Sequence, residues 1–161
     1  MTIISDSMLQ NVKKKDINDE VKNVRCYVES FSGAKVEDME SYLQPTINLK
    51  SDGIVFIFGT NNLITDSPKQ IAENIIGLAE TTASQIEHVA VSCIVTRADS
   101  FQLDDKRKEL NTILEEKLTR IGIPYINQDN MEHSHLDRWG LHPNFAGNHL
   151  LTGNCIEYLK S

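Results

Sequence analysis

The sequence predicts an α/β protein built as a three-layer α/β/α sandwich, with a five-stranded parallel sheet between its helices. Short apolar runs alternate with longer segments that carry apolar residues at helical spacing, which is typical of repeated βαβ units. Two runs, GIVFIF and HVAVSCIV, are almost continuously apolar, as strands buried on both faces should be. Polar residues follow every run, and ligands of parallel sheets bind at the carboxyl ends of the strands.

Five strands are predicted from the short runs. The second is rich in β-branched and aromatic residues, and the third and fourth are the continuously apolar ones. In chain order they span Thr2–Ile4, Val24–Phe31, Gly53–Phe58, His88–Val95 and Ile123–Asn127.

The helices are predicted from apolar residues at helical spacing and from their end signals. Ser67 followed by Pro68 is an N-cap with proline at the first helical position, and Gly122 is a typical helix stop. The predicted helical segments are Ser7 to about Lys15, Val36–Leu43, Ser67–Ser84, Leu103–Ile121 and Asn144–Leu159.

Length and composition indicate an ordinary globular domain. The 161 residues suit one domain, and 40% hydrophobic with 24% charged residues is typical of a soluble protein. The chain begins directly on a strand, so we expect residues 1–161 to be a single domain excised from a longer protein. Without a signal peptide or an apolar run long enough to span a bilayer, we expect an intracellular, cytoplasmic location.

Charge and cysteine content restrict the partners. A net charge of −7 argues against a large phosphate-binding face, so direct nucleic-acid binding by this domain is not expected. The cluster Lys13–Lys15 precedes acidic residues and is typical of a solvated helix end. The cysteines Cys26, Cys93 and Cys155 lack ligand spacing, which predicts buried thiols and favours a reducing compartment. The oligomeric state is left open.

One serine, Ser7, and one glycine, Gly33, lie where they could take part in acyl transfer. Ser7 lies where a strand gives way to a helix, so its hydroxyl can face the cleft and its N–H can stabilise an oxyanion. Ser7 or Asp6 could equally act as a helix cap. Gly33 lies between a strand and a helix, where glycine lets backbone approach a ligand and its N–H could be a second donor. A plain turn is the alternative for Gly33.

The turn after the third strand, GTNN, offers amide groups at the same edge. The Asn61 amide could donate to an oxyanion without bringing a formal charge. Asn62 could support the loop or line a pocket, and turn chemistry is the alternative for both asparagines. Arg97 follows the fourth strand at the same edge and is a further pocket candidate.

A base is suggested by RWGLHPN near the C-terminus. Pro143 holds His142 away from helical geometry, so its ring can point back over the sheet edge toward Ser7. A structural or exposed histidine is the alternative. His133, His135 and His149 lie nearby, but their spacing does not match a metal site and no metal or other cofactor is expected.

In the order Ser7, Gly33, Asn61 and His142, these residues resemble the SGNH, or GDSL-type, hydrolases. SDS resembles the family's first block, FSGAKVEDM its second, GTNN its third and WGLHP its fifth. The resemblance implies a flavodoxin-like sheet of strand order 2-1-3-4-5, with Ser7 as nucleophile and His142 as base. It also implies an oxyanion hole made of the Ser7 and Gly33 N–H groups and the Asn61 amide. The ending GLHPNFAGNHLL is similar to esterase-like domains encoded by animal non-LTR retrotransposons.

The sequence departs from the family pattern at the triad acid. The family usually has Asp three residues before the histidine, and here that residue is Trp139, whose indole cannot accept a hydrogen bond. A backbone carbonyl or Asp137 could orient His142 instead, and we favour the carbonyl because the loop is short. Trp139 itself could line an acyl pocket or cover the last helix.

The resemblance therefore implies a serine esterase that hydrolyses small acyl esters, such as acetyl or short lipid-like esters. The alternative is a catalytically weakened binding or assembly module of a retrotransposon ribonucleoprotein. A Ser7–His142 separation within hydrogen-bond reach would favour the esterase. A separation near 6 Å, with Trp139 between them, would favour the module.

Overall fold

The structure, a computed structural model, describes residues 1–12, 17, 25–49 and 51–161. The predicted basic cluster Lys13–Lys15, the end of the predicted first helix and the first residue of the predicted second strand lie outside the described residues. The site residues predicted from the sequence all lie inside them.

A five-stranded parallel sheet forms the centre of the domain, and the predicted fold class and strand order 2-1-3-4-5 are confirmed. The strands are β1 Thr2–Ser5, β2 Tyr27–Ser30, β3 Gly53–Ile57, β4 His88–Ser92 and β5 Tyr125–Ile126. Ile3 of β1 pairs with Val28 of β2 on one side and with Val55 of β3 on the other. β1 is therefore interior, and the residues that follow it lie between the ends of β2 and β3.

Among the described elements, four α-helices cover the two faces of the sheet. They are α1 Val36–Asn48, α2 Pro68–Ala83, α3 Phe101–Ile121 and α4 Phe145–Lys160. Helices α1, α2 and α3 pack on one face in a core that includes Met39, Ile75 and Leu114. Helix α4 packs on the other face through Leu151 and Cys155. No helix of the described residues is long and apolar enough to cross a bilayer.

Several element ends differ from the prediction. The predicted first helix is a single 3₁₀ turn at Ser7–Leu9 within the described residues. Helix α1 continues past Leu43 to Asn48 despite Pro45, because Thr46 lies on the same buried face as Leu43. The loss of one helical hydrogen bond at proline is offset there by packing.

The fourth and fifth strands are shorter than predicted because the chain leaves the sheet early. After Ser92 the backbone of Ile94 bonds to a side chain instead of a neighbouring strand. Asn111 of α3 accepts from the Ile94 N–H at 2.8 Å and donates to the Ile94 carbonyl at 2.8 Å. The Asn111 amide thus takes the place of the hydrogen bonds that a neighbouring strand would make with Ile94. The chain then continues toward the polar edge of the sheet.

We expect Asn111→Ala to lower the free energy of unfolding by about 1–3 kcal/mol, because two buried backbone groups of Ile94 lose their partner. Urea denaturation followed by circular dichroism measures the change. The neighbouring Thr112→Ala is the matched control, since Thr112 is exposed and bonds only within its own helix. Equal effects of the two variants would contradict this account.

Candidate active site

Ser7 and His142 form a hydrogen bond across the polar edge of the sheet. Ser7 follows β1 on the 3₁₀ turn, and Asp6 caps that turn by accepting from the Met8 N–H at 3.2 Å. The Ser7 Oγ lies 3.0 Å from the His142 Nε2. Ser7 is 5% exposed, whereas the His142 side chain is 28% exposed. The ring therefore stands between a buried hydroxyl and the solvent.

The second ring nitrogen of His142 faces a carboxylate. Its Nδ1 lies 3.6 Å from Asp137 Oδ2, an ion-pair contact slightly longer than a hydrogen bond. Asp137 Oδ1 accepts from the Trp139 N–H at 3.1 Å and from the Leu141 N–H at 3.2 Å. The recorded contact of Nδ1 is thus with the Asp137 carboxylate and not with the backbone carbonyl that we favoured, because the short loop folds back and brings Asp137 to the ring.

Asp137 is held in its ionised form. Partial burial acts to raise its pKa, but the N–H groups of Leu141 and Trp139 and the nearby His142 ring act in the opposite direction, and the net pKa is lowered. A carboxylate at neutral pH can accept the Nδ1 proton and stabilise an imidazolium.

The loop from Asp137 to His142 is closed on itself and tied to the loop after β4. The Asp137 N–H donates to the His142 carbonyl at 2.7 Å. Gly140 adopts φ 71°, and its carbonyl accepts from the N–H groups of Ala98 at 2.7 Å and Asp99 at 3.2 Å. A Cβ on Gly140 would lie 2.9 Å from the Ala98 backbone, so both the dihedral angle and the close approach require glycine.

Asn144 fixes the other end of this loop. Its side chain caps α4 by accepting from the Gly147 N–H at 3.0 Å. The same amide donates to the carbonyls of Ser134 at 2.8 Å and Leu136 at 2.9 Å. His142 is therefore held on a loop whose two ends are both anchored, as a catalytic base needs.

The structure brings the three predicted oxyanion donors to one edge. The Asn61 amide donates to the Ala34 carbonyl at 2.8 Å, which places it beside Gly33 and leaves its second N–H available. Gly33 has φ 77°. Within the described part of the chain, the N–H groups of Ser7 and Gly33 donate to no protein acceptor. These donors could hold a developing oxyanion.

Asn62 and Arg97 were predicted to line a pocket, and this prediction is corrected. Both side chains are buried and bond to neighbouring residues. Asn62 is 0% exposed; its Oδ1 accepts from the Val36 N–H, and its Nδ2 donates to Glu37 and Asp66. Arg97 is 4% exposed and forms an ion pair with Asp99. These hydrogen bonds form an arrangement that the sequence alone does not show.

Trp139, the third predicted pocket residue, lies at the surface. Its side chain is 68% exposed, and the Arg138 guanidinium lies 4.6 Å from its ring centroid. It does not separate Ser7 from His142.

A cleft of about 1080 Å³ opens on the far side of His142, along α4. Its described lining includes Asp137, His142, Phe145 and Asn148, but not the predicted oxyanion donors. The cleft therefore borders the base, and its described lining does not include Ser7.

Asp6 is a site residue that we considered only as a helix cap. Its carboxylate is fully buried and accepts from the Gly59 N–H at 3.2 Å, as well as from Met8. Burial raises its pKa to about 6, against the lowering effect of hydrogen bonds from Met8, Gly59 and Thr60. The signal in the sequence is an acid placed directly between a buried strand and the candidate nucleophile.

The described residues contain no group of three or more His, Cys, Asp or Glu side chains that could hold a metal ion. Of the nearby histidines, His135 uses its Nδ1 to accept from the Glu132 N–H at 2.9 Å.

Comparison with known proteins identifies the fold and the family. The family model described as GDSL-like Lipase/Acylhydrolase family matches residues 7–150. A member of the lipolytic protein G-D-S-L family from Veillonella parvula superposes with a TM-score of 0.84 at 17% identity, covering 99% of this chain and 97% of that one. No curated protein matches the sequence.

Two acetylxylan esterases have similar structures. Axe2 from Geobacillus stearothermophilus gives a TM-score of 0.79 at 12% identity, covering 97% of this chain and 91% of that one. The acetyl xylan esterase AlAXEase gives 0.83 at 14% identity, covering 99% and 100%. At these identities the similarity establishes the fold.

We expect Asp6→Asn to remove a pH dependence of stability. The Asp6 pKa rises from 3.8 to about 6 on folding, so the folded state binds more protons than the unfolded state between these values. The contribution of Asp6 to stability is therefore most favourable below pH 3.8 and declines as pH rises through 6. The change amounts to roughly 3 kcal/mol, from about two pKa units.

The measurement is urea unfolding of the wild type and Asp6→Asn between pH 3.5 and 7.5, taking the difference in unfolding free energy at each pH. Asp52→Asn, an exposed carboxylate beside β3, is the control. If the difference in unfolding free energy between the two proteins stays constant over this pH range, the Asp6 pKa is not raised on folding.

Proposed function

The chain belongs to the GDSL-like lipase/acylhydrolase family, and from this we propose that it is a serine esterase that hydrolyses small acyl esters. The observation that carries the proposal is the 3.0 Å contact between Ser7 Oγ and His142 Nε2. That distance is within the reach of a general base, and no rearrangement is needed to start the reaction.

Ser7 attacks the ester carbonyl while His142 Nε2 takes its proton. The tetrahedral oxyanion is held by the Ser7 and Gly33 N–H groups and by the Asn61 amide. His142 then protonates the leaving alcohol, and water releases the acyl group from Ser7 with His142 again acting as base.

Asp137 takes the role of the triad acid from an unusual position. It precedes His142 by five residues, where the family usually has its acid three residues before the histidine. The 3.6 Å contact with Nδ1 supports this role, since an imidazolium formed in the reaction would attract the carboxylate. Trp139 then has no role in proton transfer.

A small acyl group is favoured by the burial of Ser7. The nucleophile is 5% exposed, and the described lining of the large cleft includes His142 but not Ser7. The similar structures named as acetylxylan esterases are consistent with an acetyl substrate. The cleft beside His142 is suitably placed for the alcohol half of the ester.

The alternative, a catalytically weakened assembly module, is disfavoured by the same geometry. It would be supported by a Ser7–His142 separation near 6 Å with Trp139 between the two side chains. The 3.0 Å contact and the exposed position of Trp139 support the esterase instead.

We expect Ser7→Ala to abolish labelling by a fluorophosphonate and to reduce hydrolysis of p-nitrophenyl acetate by roughly three powers of ten or more, because the nucleophile is lost. In-gel fluorescence and initial rates measure the two effects. Ser84→Ala, at the exposed end of α2, is the matched serine control and should behave as wild type. Unchanged hydrolysis by Ser7→Ala would place the activity elsewhere.

We expect Asp137→Asn to lower kcat by about 10²- to 10⁴-fold with little change in KM, because the amide cannot stabilise the imidazolium. Trp139→Ala changes the residue at the usual acid position and should alter kcat by less than about tenfold, since its side chain is exposed. Steady-state kinetics on p-nitrophenyl acetate gives kcat and KM for each of the two variants. A larger loss for Trp139→Ala than for Asp137→Asn would argue against Asp137 as the triad acid.

A further inference from the structure

We propose that Arg97 is a positioning residue for the oxyanion hole, which it serves by holding the peptide group that leads into Asn61. The inference rests on the proposed function. Arg97 is not a substrate contact, because its side chain is 4% exposed and its guanidinium already bonds to Asp99 and to the Thr60 carbonyl.

The guanidinium of Arg97 is fixed by a two-point contact. Its Nε donates to Asp99 Oδ1 at 2.8 Å, and one terminal nitrogen donates to Asp99 Oδ2 at 2.6 Å. This arrangement sets the plane of the guanidinium and leaves the other terminal nitrogen pointing away from the pair. That nitrogen donates to the Thr60 carbonyl at 3.3 Å.

The Thr60 carbonyl belongs to the peptide bond that joins Thr60 to Asn61. Because a peptide group is planar, a bond to its oxygen restrains the position of the next Cα. Just before Thr60, the Gly59 N–H donates to the buried Asp6 carboxylate at 3.2 Å. Thr60 is 3% exposed, and the turn that contains it is held by the residue before Ser7 and by Arg97.

The loop that carries Arg97 is also bonded to the loop that carries His142. The N–H groups of Ala98 and Asp99 both donate to the Gly140 carbonyl. The Arg97 N–H donates to Asp104 of α3 at 3.1 Å, which anchors the loop to a helix. Arg97 therefore connects the turn of Asn61 to the same loop that supports the base.

A role in positioning predicts a specific kinetic effect. An oxyanion donor contributes about 10²- to 10³-fold to kcat, and a misplaced donor keeps only part of that. Removing the Arg97 guanidinium should therefore lower kcat about 10- to 100-fold, with KM within about twofold. The loss should disappear when Asn61 no longer supplies the donor.

The test is a double-mutant cycle with Arg97→Met and Asn61→Ala, using kcat for p-nitrophenyl acetate and the melting temperature of each variant. In the Asn61→Ala background, Arg97→Met should lower kcat by less than about threefold. Arg120→Met is the control, since Arg120 pairs with Glu116 within α3 and has no recorded contact with the Asn61 turn or with the loop that carries Arg97. Arg120→Met should keep a kcat near the wild-type value.

Independent losses that multiply in the double variant would overturn the inference, as would a wild-type kcat for Arg97→Met. If Arg97→Met does not fold, Arg97→Lys gives the same comparison, because lysine cannot make the two-point contact and reach Thr60 together. Activity that does not depend on Ser7 would overturn the proposed function and this inference with it. Activity that depends on Ser7 but shows no coupling between Arg97 and Asn61 would overturn the inference alone.

Discussion

The site depends on one buried carboxylate at the end of the first strand. Asp6 accepts a backbone N–H from its own turn at Met8 and another from the turn after β3 at Gly59. Parallel strand order makes β1 and β3 neighbours, but adjacency alone leaves the conformation of their loops open. The shared carboxylate fixes both loops to one point, so the positions of Ser7 and Asn61 are determined together.

In the proposed mechanism Asp137 serves as the triad acid from a different position in the chain, so the requirement on that group is geometric. The Asp137 N–H closes the loop onto the His142 carbonyl, and the left-handed conformation of Gly140 turns the chain between them. An acid five residues before the histidine can then reach the nitrogen that an acid three residues before it would normally contact. Trp139, which replaces the usual acid, is free to point outward.

The alternation of apolar runs and helical segments was sufficient to predict the α/β/α class, because a strand buried on both faces is continuously apolar in the sequence. The strand order came from the family resemblance. The placement of Ser7, Gly33, Asn61 and His142 at one edge follows from that fold. The partner of His142 and the role of Arg97 do not, because they depend on loop dihedral angles and on contacts between loops far apart in the chain. The end of the fourth strand was predicted too late for a similar reason. There Ile94 hydrogen-bonds to the side chain of Asn111 in α3 and not to a neighbouring strand.

The buried charges at this edge are difficult to explain by stability alone. Replacing a buried ion pair by apolar residues is often neutral or stabilising, since removing charges from water opposes folding. Asp6 carries that penalty visibly in its raised pKa, and Arg97 is buried against Asp99. Both groups bond to the turn that precedes the candidate oxyanion donor, Asp6 at Gly59 and Arg97 at Thr60, whereas the rest of the sheet has an apolar core. Hydrogen bonds and ion pairs are directional, so they fix the position of a group with more precision than apolar contacts do. An oxyanion hole requires that precision, because its donors must point at the developing charge. We therefore interpret the energetic cost of burying Asp6 and Arg97 as the cost of holding three loops in one arrangement.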